Sequence, residues 1–224
     1  MTSRTYDQFC GIARALDLVG ERWALLVVRD LILGPKRFTD LRRGLEGIGT
    51  NVLAARLKEL ERAGVIQRRT LPPPAASTVY ELTDYGRAVE GPLLALGRWG
   101  ALSMGTRQPG QTLRSEWLAV ALKAFFRPEA AADLQAVVEL RFDDGTFVAR
   151  VDRGSLVVEP GSPNGADLVL RTEVETLIGF LAGADVPGAA LGPEGDEALL
   201  ERLPQVFAFG VPDQENLVVQ RQAP

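Results

Sequence analysis

The chain has 224 residues, 46% hydrophobic and 24% charged, with a net charge of −4 and no histidine. Without histidine, a Ser-His-Asp or Cys-His mechanism, a histidine general base and a His-containing zinc site are excluded. The one cysteine, Cys10, excludes an internal disulfide framework and fits a reducing compartment.

The longest apolar run, Trp23 to Leu33, is interrupted by Arg29 and Asp30. It falls well short of the roughly 18–20 residues that cross a bilayer. No basic segment followed by an apolar one opens the chain, so no secretory signal and no membrane partner are expected, and cytoplasmic residence is the default expectation. The charge is unevenly spread. Residues 1–105 hold 15 Lys and Arg against 11 Asp and Glu, and residues 106–224 hold 10 against 18. A basic first half and an acidic second half suggest two domains, of which the first meets a polyanion.

In chain order, Phe9, Ile12, Ala13, Leu16 and Val19 share one face of a helix over Tyr6–Val19, which Gly20 ends. A second helix, Glu21–Leu33, is apolar nearly all round and reads as the central core helix, stopped by Gly34-Pro35. Phe38, Leu41 and Leu45 mark a short third helix. Thr50 stands at the N-cap position of a fourth, which runs to Ala63 before Gly64. In it Leu53, Leu57 and Leu60 form the inward stripe, and Asn51, Ala55, Lys58 and Arg62 lie opposite.

Val65–Thr70 alternates as a strand does, and Thr78–Leu82 is its natural antiparallel partner around Pro72, Pro73 and Pro74. The second, third and fourth helices followed by this hairpin are a winged helix-turn-helix, in which the chain's fourth helix enters the major groove while the ribbon lies along the backbone. Asn51 and Lys58 are then candidates for base edges, and Thr50 for positioning the helix. Arg37, Arg56, Arg68 and Arg69 are the phosphate candidates, with Arg56 nearer the buried flank. After the hairpin, Thr83 caps a helix with Val89, Leu93, Leu96 and Trp99 at helical spacing, and Gly91-Pro92 predicts a kink or break in it.

The segments Ala15–Trp23, Leu33–Leu41, Leu53–Gly64 and Tyr80–Arg87, closed by Trp99-Gly100, resemble the HxlR-type transcriptional regulators over residues 6–104. The resemblance implies a homodimeric winged-helix protein that binds double-stranded DNA and has no enzymatic activity in this half. It also implies that the first helix and the helix after the wing form the dimer interface. Two recognition helices about 34 Å apart would read successive major grooves of a pseudo-palindromic operator of about 20 base pairs. Cys10 matches the position of a cysteine that some members use to sense oxidants or electrophiles. Such chemistry needs a thiolate, solvent access and a nearby cation, for which Arg14 is available. The plainer expectation is a small buried hydrophobe.

Residues 106–112 lose periodicity and read as a linker to a second domain, 113–224. Leu113, Trp117, Val120, Ala121, Ala124 and Phe125 form a helix with a bulky apolar face. Strands follow at Ala136–Phe142, Thr146–Val151, Leu156–Glu159 and Asp167–Thr172, the first three joined by Asp-Gly and Arg-Gly turns as a meander. A helix with Val174, Leu177, Ile178 and Leu181, a loose Gly/Pro segment from Gly183 to Pro193, and a last helix with Ala198, Leu199 and Leu203 complete an α+β domain.

Ala166–Leu170 with Thr172, Leu177…Leu181-Ala182-Gly183 and Gly195-Asp196…Leu199-Leu200…Leu203 resemble a sterol-carrier-protein-like domain over residues 113–209. The fold class is therefore α+β throughout: a winged helix-turn-helix over 1–105, then a sterol-carrier-like domain. The second resemblance implies an apolar tunnel for a small hydrophobic ligand, its wall drawn from Trp117, Phe125, Phe126, Phe147, Phe180 and Leu181. As a solid core, the same domain would only brace the dimer or carry an apolar cargo. No catalytic constellation stands out: Asp143 and Asp144 sit at a hairpin turn and Asp196 at a helix cap. With no Walker loop and no dinucleotide turn, neither an enzyme, a metal nor a cofactor is expected.

Overall fold

The computed structural model describes residues 5–74 and 76–209; the first four and last fifteen residues of the two expected domains lie outside it. The chain divides into two compact units, Met1–Ala95 and Leu96–Pro224. The division falls ten residues before the expected boundary at 105. Its physical reason is Arg98, whose guanidinium donates to the Ala124 carbonyl at 2.8 Å and so ties the segment after residue 96 to the second unit.

The first unit comprises α1 (Gly11–Val19), α2 (Ala24–Ile32), α3 (Phe38–Gly44), α4 (Thr50–Arg62), β1 (Ile66–Thr70), β2 (Thr78–Leu82) and α5 (Asp84–Arg87); α6 (Glu90–Ala101) crosses the division. Its core is one cluster, with Val27, Val28 and Leu31 of α2 against Leu41, Leu53, Leu57, Leu60, Ile66 and Leu82. The stripe expected on the fourth helix is thus the buried face of α4. The hairpin pairs Ile66 with Leu82 and Thr70 with Thr78 in antiparallel register.

Three helix starts differ from expectation. α1 begins at Gly11 because the Tyr6 amide donates to Asp17 Oδ1 at 3.0 Å, folding residues 5–10 back instead of into the helix. α2 begins at Ala24 because Trp23 has φ +78°, the left-handed region, where a right-handed helix cannot continue. α4 is capped by Gly49, which makes Thr50 the first helical residue. Behind the wing, Thr83 caps α5 by accepting from the Gly86 amide at 3.0 Å, while its hydroxyl donates to the Gly64 carbonyl at 2.6 Å. The expected break is present: α5 ends at Arg87, and Pro92 falls in the first turn of α6, where its missing N–H does no harm.

The second unit holds α7 (Ser115–Phe125), β3 (Gln135–Phe142), β4 (Gly145–Asp152), β5 (Ser155–Pro160), β6 (Leu168–Arg171), α8 (Val174–Leu181), α9 (Gly188–Leu191), β7 (Pro193–Gly195) and α10 (Glu197–Val206). The sheet order is β5-β4-β3-β6-β7. β3, β4 and β5 form the expected antiparallel meander, and β6 lies parallel to β3 with Val138 beside Leu168. α9 and the three-residue β7 fall largely in the Gly/Pro segment read as loose. Asp196 caps α10 through the Leu199 amide, as expected. Among the described residues no helix is long and apolar enough to cross a membrane.

Candidate nucleic-acid interface

The α4 helix turns Leu53, Leu57 and Leu60 into the core, which leaves Thr50, Asn51, Ala55, Lys58 and Arg62 exposed. Among the described residues nothing bonds the Lys58 ammonium. Val52, an apolar residue the periodicity did not mark, is also exposed on the first turn. Small and uncharged residues at the N-terminal end, with cations further along, give a helix that can approach a nucleic-acid groove closely.

The arginine candidates do not stand free. Arg68 on β1 donates to Glu61 of α4 at 2.8 Å, and that carboxylate holds the guanidinium's pKa above its ordinary value. Arg69 donates from Nε to both oxygens of Glu81 at 3.1 and 3.0 Å. Gln67 donates to the same carboxylate at 3.0 Å. Arg69 is the main reason the Glu81 pKa lies below the usual carboxylate range, with burial opposing it and Gln67 adding to it. Arg56 is mostly buried and paired with Glu59, with Glu21 3.6 Å away. Arg37 is exposed before α3, its amide donating to Asp40 at 3.2 Å. Helix and ribbon are therefore knitted by acid–base pairs; Glu61 and Glu81 are site residues absent from the sequence-based set. The Arg69–Glu81 pair was legible in principle, since the hairpin register sets Glu81 opposite Gln67, one side-chain step from Arg69.

Between α4 and the ribbon lies a cleft of about 330 Å³, with Leu57 at its floor and Phe38 and Tyr80 supplying aromatic walls. Lys58, Glu61 and Arg68 stand at its rim.

Cys10 is exposed, not buried. It occupies the N-cap of α1, where the Ala13 and then the Ile12 amides face the sulfur and hold the thiol pKa below its ordinary value. The expected burial fails because the start of α1 is itself uncovered, with Phe9 before the helix and Ile12 and Leu16 on it all exposed, Ile12 to 75%. Leu96 and Trp99 on α6 are exposed as well, Trp99 to 70%.

In the second unit, the apolar seam between sheet and helices has a volume of only about 10 Å³ and is lined by Leu122, Leu140, Leu177, Leu181 and Phe207, among others. Of the six expected wall residues only Leu181 reaches it. Three of the other five lie against aromatic rings outside that set: Phe125 against Phe209 at 4.7 Å, Phe126 against the seam residue Phe207 at 5.8 Å, and Phe147 against Phe142 at 6.4 Å. Trp117 lies 5.9 Å from the Arg114 guanidinium, and Phe180 is half-buried.

A helix-turn-helix with a basic ribbon and a solvent-facing fourth helix defines a winged-helix transcriptional regulator. The HxlR-like helix-turn-helix model matches residues 18–108. The HTH-type transcriptional regulator YvaP of Bacillus subtilis (strain 168) is 36% identical over 86 residues, which are 38% of this chain and 80% of that protein. YodB, an HTH-type transcriptional regulator of the same organism, is 33% identical over 102 residues, 46% of this chain and 88% of YodB. The solved reduced form of YodB aligns with 30% identity and a TM-score of 0.39, covering 45% of this chain and all of that one. The chain belongs to the HxlR-like helix-turn-helix family.

Proposed function

We propose that the protein is a homodimeric, sequence-specific DNA-binding regulator whose α4 helix reads the major groove. The observation that carries this reading is the exposed row Asn51, Ala55, Lys58 and Arg62 beside a ribbon bearing Arg68 and Arg69. Asn51 and Lys58 meet base edges, Thr50 seats the first turn, and Arg37, Arg68 and Arg69 meet phosphates, the last two by exchanging a carboxylate for a phosphate oxygen. Arg56, held by Glu59 and Glu21, braces α4 from its flank and contributes charge only if those pairs open. The uncovered Ile12 and Leu16 on α1, and Leu96 and Trp99 on α6, support dimerisation through these two helices. The test is fluorescence anisotropy with a DNA site selected by the full chain from a random pool, across a salt series. Salt-sensitive, site-preferring binding with a two-fold symmetric site is expected; affinity without salt dependence or site preference would refute the reading.

For the signal, the resemblance of residues 113–209 to sterol-carrier-like domains favours a small hydrophobic ligand, and the wholly apolar seam at Leu122, Leu140, Leu177 and Leu181 supports it. At about 10 Å³ the seam holds no ligand as it stands, so entry requires α8 and α10 to part from the sheet. A ligand that binds one dimer geometry better shifts operator affinity by that difference, roughly 5–150-fold for a coupling of 1–3 kcal/mol. Native mass spectrometry of the gently purified protein tests this; no retained or added apolar molecule on the second unit would leave it as a brace.

A second route is favoured by the exposed Cys10 thiol at a helix N-cap, which oxidants reach without any opening of the fold. Loss of a peroxide or quinone response in Cys10→Ser would support it, and an unchanged response would remove it.

A further inference from the structure

The cleft between α4 and the ribbon has a composition that a DNA contact alone does not require. Phosphate recognition needs cations and N–H groups, yet two aromatic rings and a buried leucine line the interior. At about 330 Å³ it falls at the low end of the range for small-molecule sites, about 300–1,000 Å³. One wall is a helix surface, with Leu57, Lys58 and Glu61 on adjacent turns; the other is the ribbon, where Arg68 and Tyr80 are direct cross-strand partners. Phe38, at the first position of α3, closes one end.

The charges decide which ligand suits the cleft. Lys58 and Arg68 are positive and Glu61 negative, which leaves a net single positive charge at the rim. The Arg68–Glu61 pair is already satisfied at 2.8 Å, whereas Lys58 has no bonded partner among the described residues. A monoanion therefore neutralises the rim by pairing with Lys58, and a flat ring fills the slot against Phe38 and Tyr80. A neutral ring gains only the second contact, and inorganic phosphate only the first.

We propose that this cleft binds a small aromatic carboxylate, of the benzoate or naphthoate class, and that occupancy opposes DNA binding. The antagonism rests on the functional reading above, because the ligand takes Lys58 out of the major groove and lies where the ribbon approaches the phosphates. The cleft is formed wholly within the first unit, so this input is independent of the apolar seam and of Cys10.

The test uses the full chain in two arms. In the first, calorimetric titration without DNA measures benzoate and 2-naphthoate, with benzamide and inorganic phosphate as controls. Both carboxylates are expected to bind saturably at one site per chain, 2-naphthoate the tighter, and both controls more weakly. Lys58→Ala is expected to weaken the carboxylates about tenfold or more, the loss of one charge-assisted hydrogen bond. Lys58 is exposed, so this variant folds; Tyr80→Leu keeps the bulk, removes the ring and is expected to weaken 2-naphthoate more than phosphate. In the second arm, 2-naphthoate is titrated against the DNA complex and is expected to release the wild-type protein at concentrations that leave Lys58→Ala bound to whatever DNA it retains. Phosphate binding as tightly as the carboxylates would make the cleft a phosphate seat and overturn the proposal. So would carboxylate affinity indifferent to both substitutions. A chain that binds its DNA but no carboxylate loses the cleft ligand and keeps the proposed function; one that binds carboxylate but no DNA does the reverse.

Discussion

Glu81 on β2 and Arg69 on β1 form a two-oxygen ion pair across the wing, with Nε 3.0 Å from Oε2 and a terminal nitrogen 3.0 Å from the same oxygen. The carboxylate is largely buried, 13% exposed, while the guanidinium remains half-exposed. One end of the pair is thus fixed in the fold and the other faces solvent. Such a pair sets the direction of the arginine without hiding its charge.

The lowered pKa of Glu81 gives this pair a pH signature. A carboxyl whose folded pKa lies below its unfolded one adds stability that is present above the unfolded value, about 4.3. That stability is lost as pH falls through the folded value. Glu81→Gln is therefore expected to unfold more easily at neutral pH, by about 1 kcal/mol or less given the exposure of Arg69. It should also show a shallower loss of stability below about pH 4. Denaturant melts at pH 7 and in the acid range, followed by circular dichroism, measure both; equal acid sensitivity in the two proteins would assign the acid loss to other carboxylates.

For DNA, Arg69→Ala and Lys58→Ala should separate. Removing a phosphate contact weakens all sequences alike and reduces the slope of affinity against salt by about one. Removing a base contact costs about 1–3 kcal/mol on the preferred site and relaxes preference at one position. Competition between the selected site and a scrambled duplex distinguishes the two, and identical effects of both variants would count against the assignment of Lys58 to a base edge.

Gly86 on α5 lies so close to the Val65 carbonyl that a Cβ there cannot be accommodated without displacing backbone. In an exposed helix Gly→Ala stabilises. Here Gly86→Ala is expected to destabilise by about 1–3 kcal/mol through overpacking. The readout is the melting temperature of the full chain, with Gly91→Ala, which meets nothing within 4 Å, as control.

Cys10, fully exposed with two helix amides facing its sulfur, should alkylate with an apparent pKa below that of a free cysteine peptide. Iodoacetamide rates across pH, read by mass spectrometry, give the midpoint. A midpoint at or above the peptide's would remove the chemical basis for oxidant sensing.

Much of the winged helix was legible because its signals are local. Leu53, Leu57 and Leu60 recur at helical spacing, and the strand that begins at Val65 meets its partner across the short loop from Thr70 to Thr78. What escaped depended on groups distant in the chain. Glu61 meets Arg68 only because the ribbon folds back on α4, and no periodicity reports that. The burial expected of Cys10 rested on its residue type alone, which says that a small apolar side chain suits a core, not that this chain covers it. In the second half, the meander was readable from its turns. The partner of β6 was not, nor were the rings Phe209 and Phe207 that lie against Phe125 and Phe126.

The parallel ladder between β3 and β6 has a consequence for the order in which the chain matures. Val138 and Leu168 pair across the whole of β4, β5 and the loop beyond them, so this ladder is expected to close later than the hairpin of the wing, which closes over a short loop. A nascent chain that has emerged only to about residue 160 carries β3 with one edge bare, the condition under which strands recruit other chains. Truncations ending within 106–112 should stay monodisperse, and those ending between β5 and β6 should aggregate during synthesis.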